Sequence, residues 1–410
     1  MRLFRPVPRF RAQGLGIQAP GREAGVRRRY SAAHRGGRSP FAGLFTSRSL
    51  RYADYHFLIA VAALLLLGLV SLYSASAIYA ENKGLPSFFY LKRQLVWTFA
   101  GLGGMWLVMN LELEKFRKFI KPLMVLTLAL LAATLFMPPI AHVRRWIPLG
   151  FMNLQVSEFA KLAVVLYLAD YFDKNISRVL KDWRQLIKPL WIVLLTLALI
   201  AMQPDLGTPA LIFGVSLMML FCSGVRLRYI LAPLGLGILV FIEELIRKPY
   251  RIARFKNFLS PWDDASGTGY QLVQSLLAIG SGGWFGAGLG ASKLKLMYLP
   301  EPHTDFIFAV VAEELGLFGS LLIAGLFGYL LLRGLKLARN ATSFFSAIAA
   351  SGMVLVICLQ AFFNMAMTLG LTPTKGIPLP FFSYGGSSMI TMLLAAGFVL
   401  NVSAHRKASL

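Results

Sequence analysis

Apolar residues run in long blocks along this chain, and polar residues are confined to short intervals between them. A helix that crosses a bilayer needs about 20 predominantly apolar residues. Ten stretches approach that length: 55–77, 93–110, 119–138, 155–172, 189–203, 207–224, 228–246, 305–332, 344–370 and 383–403. The pattern predicts an all-α polytopic membrane protein of about ten transmembrane helices, with a large extracytoplasmic loop, 247–304, between spans seven and eight. Within that loop, Gly269 to Ile279 has amphipathic helical spacing and precedes a glycine-rich turn from Gly280 to Gly290. About a dozen apolar residues cannot span, so this segment is expected to rest in the interface or dip into the membrane.

The charges give the pattern a direction. Residues 1–52 carry twelve Arg, one acidic residue (Glu23) and no apolar periodicity, which predicts a disordered basic cytoplasmic tail ahead of a membrane domain, 53–410. An organellar transit peptide shares that composition, whereas a cleaved secretory signal is not expected because no apolar run precedes Tyr55. With the tail inside, Lys115, Arg117, Lys118, Lys174, Arg178, Lys181, Arg184, Arg226, Arg333, Lys336, Arg339, Arg406 and Lys407 also fall inside, as the positive-inside bias requires. Both termini are then cytoplasmic, and the intervals 139–154, 247–304 and 371–382 share the outer face.

Composition narrows the class further. With 57% hydrophobic and 15% charged residues and a mean hydropathy of +0.63, the chain is no large soluble enzyme. A net charge of +24 raises nucleic acid as a partner, but the cations sit in the tail and in the short intervals, where they orient helices and meet anionic lipid. No nucleic-acid partner is expected. Cys222 and Cys358 lie inside apolar runs and read as small hydrophobes, with no disulfide framework or metal site.

The candidate chemistry gathers on the outer face. Asp305 stands where the large loop enters the eighth span, and both a helix-capping aspartate and a general base facing an amphiphilic substrate fit that position. Glu313 and Glu314 follow two turns deeper. On a regular helix Glu313 lies about 80° from Asp305 and Glu314 nearly opposite, so at most one shares its side. Glu158 and Lys161, three apart on the fourth span, and Asp205, between the fifth and sixth, add charge at depth and predict an intramembrane polar cluster of Glu158, Lys161, Asp205, Glu313 and Glu314. A buried ion network and a proton pathway would look alike at this level. Arg144, Arg145, Arg251, Arg254, Lys256, Lys293, Lys295 and Lys375 place positive charge outside, against the insertion bias, which points to an anionic ligand. The glycine-rich turn is neither GxGxxG nor a P-loop, and no GxSxG occurs. His303 has no His or Cys at ligand spacing and reads as an ordinary loop histidine, so no protein metal site is expected. A divalent cation (Mg or Mn) shared by Asp305 and a substrate phosphate is compatible with the pattern.

Seven ordered motifs resemble the SEDS family of polytopic peptidoglycan polymerases, whose branches are FtsW, RodA and SpoVE. They are Arg145-Trp146-Ile147, Ser157-Glu158-Phe159-Ala160-Lys161-Leu162, Gln203-Pro204-Asp205-Leu206-Gly207-Thr208, Gly269-Tyr270-Gln271 with Gln274-Ser275, Leu299-Pro300-Glu301 with His303-Thr304-Asp305-Phe306, Glu313-Glu314-Leu315-Gly316, and Pro380 through Ser388. The similarity covers the chain from Tyr55 onward. Pro373-Thr374-Lys375-Gly376 followed by Pro380-Phe381-Phe382-Ser383 resembles the cell-division branch, FtsW, rather than the elongation branch, RodA. Val156 departs from the family's proline at that place and is expected to loosen the start of span four.

The resemblance implies a SEDS fold in the bacterial cytoplasmic membrane, at the division septum, and polymerisation of lipid II into glycan strands on the outer face. Asp305 matches the family's essential aspartate, the expected catalytic base. Arg145 and Lys375 are expected on the pyrophosphate, and Trp146, His303, Glu301, Gln271 and Ser387 complete the expected substrate-binding set. Implied partners are lipid II, undecaprenyl-pyrophosphate-linked glycan, a class B penicillin-binding protein whose single anchor docks on spans eight and nine, and other divisome proteins. A lipid II flippase, a RodA-type elongation polymerase and a divisome scaffold whose Asp305 merely caps a helix are the competing readings.

Overall fold

The computed structural model describes residues 53–139, 143–148, 150, 153–246, 252, 255, 258–267, 269–292 and 302–407. The expected basic tail lies outside the described residues, as do Arg251, Arg254, Lys256, Lys293, Lys295 and Glu301. Each of the ten apolar stretches coincides with a helix: α1 (Tyr55–Asn82), α2 (Phe89–Met109), α3 (Ile120–Thr134), α4 (Val156–Val179), α5 (Ile187–Ala201), α6 (Gly207–Cys222), α7 (Leu227–Ile246), α9 (Ile307–Arg339), α10 (Phe344–Thr368) and α11 (Gly386–Lys407). The loop helix is α8 (Tyr270–Ser281), so α9 and α10 are spans eight and nine. Among the described residues, five helices are both long and apolar enough to cross a bilayer: α1, α5 with its preceding turn, α9, α10 and α11. Several helices outrun their apolar stretch; α4 continues to Val179 and α9 to Arg339. Hydropathy marks the part of a helix inside lipid, whereas the backbone hydrogen-bond ladder continues wherever it stays satisfied.

One local feature qualifies the all-α expectation. Trp146–Pro148 (β1) pairs antiparallel with Asn153–Gln155 (β2), in the register Trp146↔Gln155, Ile147↔Leu154 and Pro148↔Asn153. This hairpin leads directly into α4, whose first residue is Val156. Val156 is buried and occupies N1. A proline there would lack only an N–H that has no intrahelical acceptor anyway, so valine starts the helix at the same place.

α10 and α11 form the centre of the bundle and are the most enclosed helices. α10 packs on α4, α6, α9 and α11, and α11 packs on α2. The outer helices turn Leu66, Phe99, Trp191 and Leu332 outward, as a lipid-facing surface does. At one end of the bundle Arg117 donates to Asp170 (3.0 Å), Asp173 (2.6 Å) and Glu114 (3.0 Å). At that end too, Arg333 forks onto Asp54 (3.0 and 2.6 Å), whose backbone N–H donates to Ser403 (3.0 Å).

α9 is interrupted at Gly316, which adopts φ 67°, ψ −163°. The glycine-rich turn after α8 docks into the gap. The N–H groups of Ala287 and Gly288 donate to the carbonyls of Glu313 (2.9 Å) and Glu314 (3.1 Å), and those of Leu317 and Phe318 donate to the carbonyls of Gly283 (2.9 Å) and Trp284 (3.2 Å). An unbroken helix would join 317 to 313 and 318 to 314, so the turn takes over both bonds and leaves no backbone group orphaned in the bilayer. Gly286 and Gly316 meet backbone to backbone, with no room for a β-carbon on either. The break lies roughly 14 Å along α9 at 1.5 Å per residue, so the α8 segment dips beside α9. Glu313 and Glu314, just before the break, are both buried.

Candidate active site

The functional end of the bundle is built where the residues before α9 meet the loop between α10 and α11. Tyr384 N–H donates to the carbonyl of His303 (2.9 Å), and Ser383 Oγ donates to that of Thr304 (2.7 Å) while accepting Leu379 N–H (2.8 Å). From below, Asn364 Nδ2 on α10 donates to the carbonyls of both Asp305 and Ile377, each at 2.7 Å. These bonds place Asp305 against the loop, with Oδ2 3.1 Å from where a β-carbon on Gly376 would stand. α9 starts at Ile307, and its N-cap position is Phe306, with no side-chain cap bond. Asp305 therefore stands one residue outside the cap, half-buried.

The same loop reaches the turn before α6. Ile377 and Lys375 pack on Gly207. Asp205 accepts the N–H groups of Gly207 (3.0 Å) and Thr208 (3.1 Å) and the Thr208 hydroxyl (2.8 Å), which satisfies the start of α6. Burial pulls the Lys375 ammonium below the ordinary lysine range, and the charge of Asp205 partly offsets that. Arg145, held at the foot of β1, donates through Nε to Gln203 O (3.0 Å) and through Nη2 to Pro204 O, with Nη1 4.0 Å from Asp205. Arg145 thus clamps the α5–α6 turn, and Lys375, next in sequence to the Gly376 that faces Asp305, lies in the field of Asp205.

His303 is enclosed by the rings of Tyr79, Tyr90 and Tyr384, at centroid separations of 4.9, 4.4 and 5.7 Å. Its Nδ1 is buried without a hydrogen-bond partner, and burial, together with the charge of Lys83, lowers its pKa to about 4. His303 is thus a buried loop histidine packed among three tyrosine rings, two residues before Asp305.

The expected intramembrane cluster divides into three sets of partners. Lys161 donates to Glu158 (2.8 Å) and to Gln360 Oε1, and the Thr391 hydroxyl reaches Glu158 (3.2 Å). Asp205 belongs to the Lys375 corner. Glu313 accepts from Ser292 Oγ, while Glu314 accepts from Ser74 Oγ (2.6 Å) and Ser292 N–H (3.4 Å), so this pair secures the docked turn. Of the remaining candidates, Trp146 pairs in the hairpin. Ser387 is buried and accepts Gln155 N–H (3.0 Å), which ties the hairpin to α11. Gln271 is exposed on α8. Gln360 and Asn364 were not anticipated, although Gln360, Asn364 and Thr368 at i, i+4, i+8 form a polar stripe on an otherwise apolar helix. Among the described residues no group of three or more His, Cys, Asp or Glu is placed to hold a metal ion.

Residues 55–408 match the family model for FtsW, RodA and SpoVE, described as cell cycle proteins. The chain is 40% identical over 348 residues to stage V sporulation protein E of Bacillus subtilis, covering 84% of this chain and 95% of the relative. It is also 40% identical over 359 residues to a probable peptidoglycan glycosyltransferase FtsW of Geobacter metallireducens, with 86% and 95% covered. Among solved structures, it resembles a chain from work on the structural coordination of polymerization and crosslinking by a peptidoglycan synthase complex. The TM-score is 0.72 at 30% identity, over 86% of this chain and 98% of that one. The rod shape determining protein RodA of Thermus thermophilus gives a TM-score of 0.64 at 30% identity, over 86% and 97%. With its helices, its broken α9 and its loop-built site accounted for, this multi-pass membrane chain belongs to the FtsW/RodA/SpoVE family.

Proposed function

We propose that the protein is a peptidoglycan glycosyltransferase of the FtsW type, which polymerises lipid II at the outer face of the cytoplasmic membrane during septal wall synthesis. The observation that carries this reading is a half-buried carboxylate, Asp305, set against Gly376 in a loop whose neighbouring Lys375 packs on the Asp205 turn, at one end of a membrane bundle. Relatives 40% identical are named as probable glycosyltransferases of this kind, which supports it. Asp305 takes the proton of the acceptor GlcNAc 4-hydroxyl, and that oxygen attacks C1 of the donor MurNAc. The bond from C1 to the pyrophosphate oxygen breaks, undecaprenyl pyrophosphate leaves, and the anomeric centre inverts. Lys375 stabilises the charge that grows on the departing pyrophosphate, while Arg145 holds the Asp205 corner on which Lys375 rests.

The bundle end bearing Arg117, Arg333 and Asp54 is then cytoplasmic, with both termini, and the Asp305 end is outside. The positive-inside bias supports this orientation. A class B penicillin-binding protein is the partner. An apolar groove of about 580 Å³ between α8, α9 and α10, lined by Ile279, Phe308, Leu321, Phe362, Met365 and Leu369, suits its single membrane anchor. The test is to supply labelled lipid II to purified full-length protein with that partner. Glycan strands are the expected product. Transit of lipid II across vesicles with no strand formed would make the protein a transporter instead.

A further inference from the structure

Below the site, a row of buried polar groups runs from the reacting end into the centre of the bundle. Asn364 and Gln360 are each fully buried on α10, one turn apart. Asn364 spends both Nδ2 hydrogens on the carbonyls of Asp305 and Ile377 (2.7 Å each), which leaves its Oδ1 buried and unpaired. Gln360 Nε2 donates to the carbonyl of Pro378 (2.9 Å), and its Oε1 accepts from Lys161. Lysine only donates, so Lys161 fixes which end of the Gln360 amide faces Pro378. Glu158, at 2.8 Å, neutralises Lys161 within the bilayer. Consecutive loop carbonyls, those of Ile377 and Pro378, are therefore gripped from one helix face, and one of the two gripping amides also holds the backbone of Asp305.

We propose that Asn364 and Gln360 are positioning residues of the transfer reaction, and that the Lys161–Glu158 pair serves them by locking the Gln360 amide. Together they set the gap between Asp305 and the Lys375–Gly376 wall in which the acceptor hydroxyl and the pyrophosphate meet. The orientation that aims both Asn364 donors at these two carbonyls leaves its Oδ1 buried without a hydrogen-bond partner. The inference rests on the reading of Asp305 as the base.

The experiment measures strand formation from labelled lipid II by the full-length protein with its transpeptidase partner. It compares wild type, Asn364→Leu, Asn364→Gln, Gln360→Leu and Asp305→Asn, with KM and kcat determined separately and thermal unfolding followed in parallel. Misplacing a reacting group by about 1 Å costs on the order of 100-fold in rate. Asn364→Leu is accordingly expected to lower kcat by at least about 10-fold with KM within about 3-fold. Asn364→Gln, which keeps the amide but shifts it by one methylene, is expected to fall between Leu and wild type, and Gln360→Leu to follow the same split. If Asn364→Leu does not fold, Asn364→Gln and Gln360→Leu carry the test. Folded variants with wild-type kcat, or with kcat and thermal stability lost in proportion, overturn the positioning role. If Asp305→Asn is itself fully active, the reading of the base fails instead, and the two failures are told apart in one data set.

Discussion

Oδ2 of Asp305 lies 3.1 Å from where a β-carbon on Gly376 would stand, so the loop after α10 forms a wall directly against the Asp305 carboxylate. That spacing is tighter than ordinary van der Waals contact, and Gly376 is not in the left-handed region. Gly376→Ala should therefore fold normally and push the carboxylate by a few tenths of an ångström. A fall in kcat of about 3–10-fold, with an unchanged melting temperature, is the expected outcome in the polymerisation assay.

Lys375 needs its proton to hold a pyrophosphate, and burial already pulls its pKa below the ordinary lysine value of 10.5. Activity is thus expected to decline on the alkaline side earlier than a solvated lysine would dictate. Lys375→Arg, which stays charged throughout, should move that limb to higher pH, and Lys375→Ala should lower turnover at every pH. A pH–rate profile unchanged in Lys375→Arg would remove Lys375 from the charge-stabilising role.

His303 titrates near 4 in the fold against 6.5 when solvated, since burial and the charge of Lys83 disfavour its cation. Protonation therefore favours the unfolded chain. The stability that neutral His303 contributes is complete above about pH 6.5 and is lost as pH falls through about 4. Melting curves between pH 7 and pH 4 should show this slope in wild type and a shallower one in His303→Phe, which keeps an aromatic ring among Tyr79, Tyr90 and Tyr384.

The docked turn depends on two glycines meeting backbone to backbone. Gly316→Ala puts a side chain at φ 67° and into the Gly286 backbone, so a loss of about 2–4 kcal/mol is expected from strain and steric displacement. Reduced thermal stability, together with faster hydrogen exchange at Ala287, Gly288, Leu317 and Phe318, would report release of the turn.

The helices were legible in the sequence because lipid demands long apolar blocks. Asp305 and Lys375 could be picked out because charge at the edge of an apolar run is conspicuous. Arg145 shows what pattern alone misses: its charge was visible, but its bonds go to the carbonyls of Gln203 and Pro204, which only the fold brings near. Glu313 and Glu314 show the same limit, since the Ser74 and Ser292 partners that hold them come from other parts of the chain. Asn364 and Gln360 went unseen because neutral amides in an apolar helix give a weak signal, although their spacing of four was there to read.

The most direct test compares wild type with Asp305→Ala in a reconstituted mixture of the full-length protein, its transpeptidase partner and labelled lipid II, with glycan strands read on a gel. Strands from wild type and none from a mutant that folds and binds its partner are the expected result. Equal strands from both would contradict the assignment of Asp305 as the base.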